Sequence, residues 1–287
     1  MANQLKNMEQ EIMKKAFTLM TIALVCVLAF ASCKKAANND VDKTFTVGFD
    51  AEFPPYGFRG EDGQYKGFDL DLAKEVCVRN GWTFVAKPID WAAKDAELNA
   101  GTIDCIWNGF TMSEERKDMY TWSSPYVQNK QLILVKKDSG LKTLADLKGK
   151  AVAAQDGSSG AEALEKALED LKKNDASFSF KDYKKVKDYV TAKTMLESGA
   201  VDAVALDSAV ALGFIEKSNG AFVTFETPLM FESYGIGFKK GNTALRDKVE
   251  ATLHEMVKDG TTAKILLKWK ETEAKNGGDG IDFILLP

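Results

Sequence analysis

Between Ile106 and Arg116 the chain reads Ile-Trp-Asn-Gly-Phe-Thr-Met-Ser-Glu-Glu-Arg. An apolar strand runs into a glycine, then a hydroxyl, then an arginine at the expected start of a short helix. That order sets a carbonyl, a hydroxyl and a guanidinium at the mouth of a strand. The Gly109 carbonyl can accept from an ammonium, and Thr111 with Arg116 can hold a carboxylate, the guanidinium engaging both oxygens. This is chemistry suited to a zwitterion. The same order also fits a plain strand-to-helix connection with a surface arginine, so the elements that carry it must decide.

One internal echo supplies a partner. Leu98 to Ile106 and Leu196 to Val204 share a pattern: a helix end, a glycine suited to a left-handed cap, and a buried strand. The copies lie roughly a hundred residues apart, which suggests two α/β lobes of like build. In open α/β sheets, ligands bind beyond the carboxyl ends of the strands. The first copy delivers Asn108 to Thr111 there and the second delivers Asp207, so a carboxylate of one lobe would face Arg116 and Gly109 of the other.

The remaining pattern agrees with that architecture. Strands are expected over 44–49, 82–86, 103–107, 132–135, 150–154, 201–206 and 234–238. Helices are expected over 69–79, 92–99, 160–171, 188–197, 208–216 and 243–258. This alternation argues for an α/β fold with largely parallel sheets. The turn Gly157-Ser158-Ser159-Gly160 opens one of the helices, whose first N–H groups and positive dipole end suit an anion, or simply form a capped helix. After Trp269, the run Asn276 to Gly280 reads as a linker, and residues 281–287 either pack on a lobe or form a loose end.

Composition sets the outer bounds. The 287 residues suffice for one large domain or two medium ones, and a 45% apolar, 28% charged chain is ordinary for a globular protein. A net charge of -4 gives no nucleic-acid signal, and the single histidine, His254, argues against histidine-based metal or triad chemistry. No metal or cofactor is expected.

The N-terminus reads as a targeting segment. Lys14 and Lys15 precede an apolar run from Ala16 to Ala31 that is short for a membrane span but suits a signal peptide. Translation starting at Met13 would give the more usual order. The run ends in Leu28-Ala29-Phe30-Ala31-Ser32-Cys33, similar to a bacterial lipobox, with Phe30 where leucine is usual; an ordinary cleaved signal with a chance cysteine is the alternative. Lipid on Cys33 would place the protein at the outer face of the cytoplasmic membrane or in the periplasm. Cys77 and Cys105 fall on apolar faces of a helix and a strand and read as buried thiols rather than a disulfide.

At this point a resemblance emerges. The span from Phe45 to Trp269 resembles the extracellular solute-binding proteins of family 3, which feed amino acids to ABC importers. The motifs that carry it are Asp50 to Tyr56, Gly67 to Leu72, Gly109 to Arg116, Leu144 to Lys150, Asp202 to Asp207, and Tyr234 to Phe238.

The resemblance implies a two-lobed periplasmic-binding-protein fold (type II), with two hinge strands joining mostly parallel sheets flanked by helices. Its implied parts are a lipoprotein signal over 1–33, a flexible tether over 34–43, a discontinuous first lobe of 44–129 and 231–287, and a second lobe of 130–230. Arg116 and Thr111, with the backbone of Ser158 and Ser159, would hold a ligand carboxylate. The Gly109 carbonyl and Asp207 would take the ammonium. The ligand side chain would lie between Phe53 and Trp91, which could equally be core aromatics. Asp50, with Gln155 close by, would read its far end.

A carboxylate there favours a cation or an amide, giving a range of arginine, lysine, glutamine or cystine. Trp107 and Asn108 are expected to narrow or reshape the pocket. The implied partners are that amino acid and a membrane permease, reached by a monomer through its lipid anchor.

Two other readings compete. Some dehydratases of cyclic amino-acid precursors share this fold, with Glu52 or Asp50 as a conceivable general acid. A ligand-sensing domain is the other; with no span expected between the fold and Pro287, it would need a separate receptor.

Overall fold

The computed structural model describes residues 43–274 and 281–285. The expected signal segment, Cys33 and all but the last residue of the tether lie outside the described residues. Among those described, no helix is long and apolar enough to cross a membrane.

Two parallel strand triplets frame the molecule. In the first, β1 (Thr44–Phe49) lies between β5 (Thr83–Pro88) and β6 (Cys105–Thr111). In the second, β9 (Ala151–Gln155) lies between β10 (Asp182–Val186) and β11 (Ala203–Asp207). Every residue of β6 and β11 is buried, as strands covered on both faces must be. A small antiparallel sheet of β2 (Glu52–Phe53), β3 (Gly57–Arg59) and β4 (Tyr65–Lys66) follows β1.

Two long antiparallel strands join the triplets: β8 (Val127–Lys136) and β13 (Met230–Lys239). They pair with each other from Met230↔Gln131 to Tyr234↔Val127. Beyond that overlap, β8 continues alongside β11, and β13 continues alongside β6. The result is a single sheet in the order β10-β9-β11-β8-β13-β6-β1-β5, with β7 (Tyr120–Trp122), β12 (Phe222–Thr224) and β14 (Asp282–Phe283) attached. The parallel expectation therefore holds within each triplet, and the junction is antiparallel.

Helices cover both halves. Around the first triplet lie α1 (Phe68–Asn80), α2 (Lys94–Ala100), α6 (Thr243–Lys258) and α7 (Thr261–Ala274). Around the second lie α3 (Ser159–Asn174), α4 (Tyr189–Ser198) and α5 (Ser208–Lys217). The echoed glycines do what their spacing implied: Gly101 ends α2 at φ 74° and Gly199 ends α4 at φ 76°, each in the left-handed region where a Cβ is penalised.

Several expectations shift. Strand β6 extends through Thr111, so Asn108 to Thr111 are strand rather than loop. Arg116 sits in a turn over residues 114–119, not at a helix start. The helix expected from Ala92 opens as a 3-10 turn at Trp91–Ala93, held by the Asp90 side chain accepting from the Ala92 N–H at 3.2 Å. The tail is not loose where it is described. Asp282–Phe283 pairs with Val127 and Gln128, Ile281 and Leu285 are buried, and the Phe283 ring meets Phe68 edge-on at 6.0 Å. Cys77 and Cys105 are buried free thiols.

Candidate functional site

The carboxyl ends of β1, β6, β9 and β11 converge on one pocket of about 270 Å³. All ten residues singled out from the sequence line it, joined by Asn108 and Tyr189. Trp107 does not. Strand alternation turns it to the opposite face, where it is fully buried against Tyr126 at 6.4 Å, so only Asn108 shapes the pocket.

Arg116 is 4% exposed at one end. Its Nη2 donates to Gly157 O at 3.0 Å and to Glu162 Oε1 at 2.6 Å, and its Nη1 lies 3.4 Å from Thr111 O. The guanidinium also lies over the Phe110 ring at 5.2 Å. Nearby, Thr111 Oγ1 donates to Ser159 Oγ at 3.0 Å. Ser158 caps α3, its hydroxyl accepting from the Ala161 N–H at 3.1 Å, and the Ser159 and Gly160 N–H groups have no intrahelical partner. A guanidinium and a helix N-terminus thus meet at this end, a setting for an anion.

Asp207 forms another part of the wall. It is 3% exposed and fully hydrogen-bonded: Oδ1 accepts from Asn129 Nδ2 at 2.8 Å, Gln131 Nε2 at 2.7 Å and Tyr234 OH at 2.6 Å, and Oδ2 from Tyr189 OH at 2.6 Å. Burial raises its carboxyl above the ordinary range, against the pull of these donors.

Gly109 adopts φ 55°, and a Cβ there would come within 2.6 Å of the Phe53 ring and 3.0 Å of Tyr234. Its N–H donates to Asp69 Oδ2 at 2.7 Å, which Tyr126 OH also reaches at 2.8 Å. Asp69 is fully buried, and burial pushes its carboxyl up to about 7.

At the far end, Asp50 Oδ2 accepts from Gln155 Nε2 at 2.5 Å, across from one triplet to the other. Oδ1 accepts from the Glu52 N–H at 2.8 Å, while the Asp50 N–H donates to Asn108 Oδ1 at 3.0 Å. Burial raises the Asp50 carboxyl, with Asp188 and Glu52 adding like charge. The walls are aromatic. Phe53 stacks on Tyr56 at 5.4 Å and tilts against Tyr189 at 5.9 Å, and Trp91 meets Phe110 edge-on at 5.6 Å.

Sequence reasoning missed four participants. Tyr189 opens a helix, and nothing in its neighbourhood marks a hydroxyl aimed at Asp207. Asp69 lies inside the quoted Gly67 to Leu72 motif but carries no signal that it holds Gly109. Lys94 is 5% exposed, its ammonium 3.0 Å from Gly157 O and 5.4 Å above the Trp91 ring; burial, then Arg116, lowers its basicity. Glu162 stands three residues after Ser159, where an acidic first turn was legible but its reach to Arg116 was not.

Chemically, the arrangement offers a carboxylate grip, an ammonium acceptor, apolar walls and an acidic far end. Among the described residues no cluster of His, Cys, Asp and Glu is placed to hold a metal ion.

Comparison with known proteins identifies the family and the fold. Residues 45–272 match the profile of the bacterial extracellular solute-binding proteins, family 3. The L-cystine-binding protein TcyJ of Escherichia coli (strain K12) is 31% identical over 259 residues, covering 88% of this chain and 94% of that protein. Among solved structures, an ABC uptake transporter substrate-binding protein from Streptococcus pneumoniae with bound histidine superposes with a TM-score of 0.73 at 36% identity, over 79% of this chain and 92% of that one. An ancestral arginine-binding protein bound to arginine gives 0.71 at 40% identity, over 79% and 97%.

Proposed function

Since the chain belongs to the bacterial extracellular solute-binding proteins, family 3, we propose that it captures a polar or basic L-amino acid between its two lobes and delivers it to an ABC-type importer. The observation that carries this reading is the placement of Arg116 and Asp207. They stand on β-strand ends and turns of different lobes, and both line one pocket of about 270 Å³.

The ligand carboxylate goes to Arg116, Thr111 and the N–H groups at Ser158 and Ser159. Its ammonium goes to Asp207 and Gly109 O. Phe53 and Trp91 flank the side chain, and Asp50 with Gln155 meets its end. Asp50 has no cationic partner among the described residues, and Asp188 and Glu52 add negative charge around it. A basic side chain therefore fits best, with arginine first in a range that also holds lysine, glutamine and cystine. The arginine-bound and histidine-bound neighbours support a cationic or nitrogen-rich end. The kinship to binding proteins favours this reading over a dehydratase or a sensor.

Neither lobe alone offers a zwitterion all its partners, so the ligand stabilises the closed arrangement, with bending in the overlap of β8 and β13. The lobes are taken as 44–129 with 231–287, and 130–230. A monomer held at the cell envelope by lipid on Cys33 would present the closed form to the permease.

A thermal-shift screen of the twenty amino acids, cystine and ornithine tests the proposal. A ligand at 100 times its Kd adds about 2.7 kcal/mol to native stability. Arginine is expected to give the largest shift. A flat screen defeats the proposal, and a shift confined to aliphatic amino acids defeats the assigned role of Asp50.

A further inference from the structure

A second carboxylate stands behind Asp207. Glu232 lies on β13, directly opposite Asn129 of β8 in the ladder. The Asn129 amide donates to both acids, at 2.8 Å to Asp207 Oδ1 and 2.6 Å to Glu232 Oε1. Gln131 Nε2 does the same, at 2.7 and 2.9 Å, and also reaches Ser159 Oγ at 3.1 Å. Two amides thus tie two acids together. Among the described residues no ion pair reaches either acid.

The donors are shared unequally. Asp207 receives both amides and the hydroxyls of Tyr189 and Tyr234. Glu232 receives the shared amides on Oε1 and a weaker donation from the Ser159 hydroxyl, and its buried Oε2 has no partner. Two carboxylates on the same donors cannot both ionise without mutual repulsion in a desolvated site. The one with fewer donors keeps the proton. Burial, and then the charge of Asp207, push Glu232 up to about 7.

The other titratable groups nearby do not replace it. Tyr189 and Tyr234 are pushed well above their ordinary range and remain neutral donors. Lys130 follows Asn129 on β8, but alternation sends it to the other face, 5.9 Å over the exposed Phe231 ring. Asp69 spends its bonds on Gly109 and Tyr126.

We infer that Glu232 is a positioning residue for the ammonium subsite: it acts on Asp207 through the shared Asn129 and Gln131 amides, and a ligand ammonium docking on Asp207 releases the Glu232 proton to solvent. The inference rests on the amino-acid reading above. The step is a plain acid dissociation: the Glu232 O–H bond breaks, the proton passes to buffer, and the ligand cation compensates the carboxylate left behind. By linkage, whatever cation draws off the proton binds more weakly where the proton is held more firmly. Affinity therefore climbs as pH rises toward and through 7, then levels.

Titration calorimetry of the full protein with L-arginine and with L-glutamine, in buffers of differing ionisation enthalpy between pH 5.5 and 8.5, counts the protons. The expected release is a fraction of a proton per ligand that grows as pH falls from 8.5 toward 6. Affinity should fall by at most about tenfold per pH unit below 7. Glu232→Gln should abolish the release and flatten the profile, while Glu232→Asp keeps both. Wild-type binding without proton release at pH 6–7 overturns the inference alone, and needs no folded variant. Equal release by wild type and Glu232→Gln overturns it too. Binding of neither amino acid at pH 8 overturns it together with the polar-or-basic reading.

Discussion

Glu162 reaches from the start of α3 to Arg116, its Oε1 2.6 Å from Nη2, while its Oε2 accepts from Ser113 Oγ at 3.2 Å. Both partners belong to the far side of the cleft. The Arg116 side chain is 5% exposed and that of Glu162 33%, so solvent screens the pair from the Glu162 side. The pair joins the turn over residues 114–119 to the first turn of α3. Glu162 therefore orients the guanidinium that the proposed carboxylate grip would use.

Glu162→Ala should loosen that orientation. A hydrogen bond to a charged group, discounted for exposure, is worth about 1 kcal/mol, so amino-acid affinity should drop roughly five- to ten-fold. Ser113→Ala should cost less. Calorimetry showing unchanged affinity for Glu162→Ala would mean that the ion pair only decorates the rim.

Arg116→Ala and Asp207→Ala remove one partner of a desolvated charge contact, which costs about 2–5 kcal/mol. Binding should weaken by roughly thirty-fold or more for each. Circular dichroism would first establish that the variants fold. A folded variant of either kind with near wild-type affinity rejects that residue as a ligand contact.

Asp50→Asn tests discrimination rather than grip. The variant keeps an acceptor for the Glu52 N–H but loses the charge at the acidic end. Affinity for L-arginine and L-lysine should fall most, and L-glutamine should be affected less. An equal loss for all three would make Asp50 a structural residue.

Asp69 predicts a pH dependence of stability. Its folded value near 7 lies above the ordinary 3.8. Its stabilising contribution is thus fully present below pH 3.8, wanes as pH rises, and is gone above 7. The melting temperature of Asp69→Asn should accordingly gain on that of the wild type between pH 5 and pH 8. A constant gap across that range would show that Asp69 does not titrate as its burial implies.

The site was legible where a residue's role follows from its place on a strand end. Gly109 and Thr111 are among the last residues of one such strand, Arg116 follows it, and Asp207 closes another. Residues that act through long-range packing were not legible. Tyr189 reaches Asp207 from a helix, Lys94 meets Gly157 across the cleft, and Glu232 couples to Asp207 only because β8 and β13 overlap. In the fold, the glycine-capped helix ends were readable from their echo. The edge strand Asp182–Val186 was not, since its lysines show no apolar alternation and edge strands carry such charge to avoid pairing. The long strands were underestimated because polar residues at Asn129, Gln131 and Glu232 interrupt their apolar runs.

The route of the chain through the shared sheet has a consequence for how the molecule assembles. Strand β6 waits for β13, which is made more than a hundred residues later. The strands from β8 to β12, by contrast, are all available to one another before β13 appears. A polypeptide emerging from its amino end can therefore complete the second half first and must hold the opening half unfinished until the return strand arrives. Because β8 and β13 pair over Val127–Gln131 and Met230–Tyr234 and each then continues into one half, melting either half frays the ladder that supports the other. The expected thermogram is a single cooperative peak.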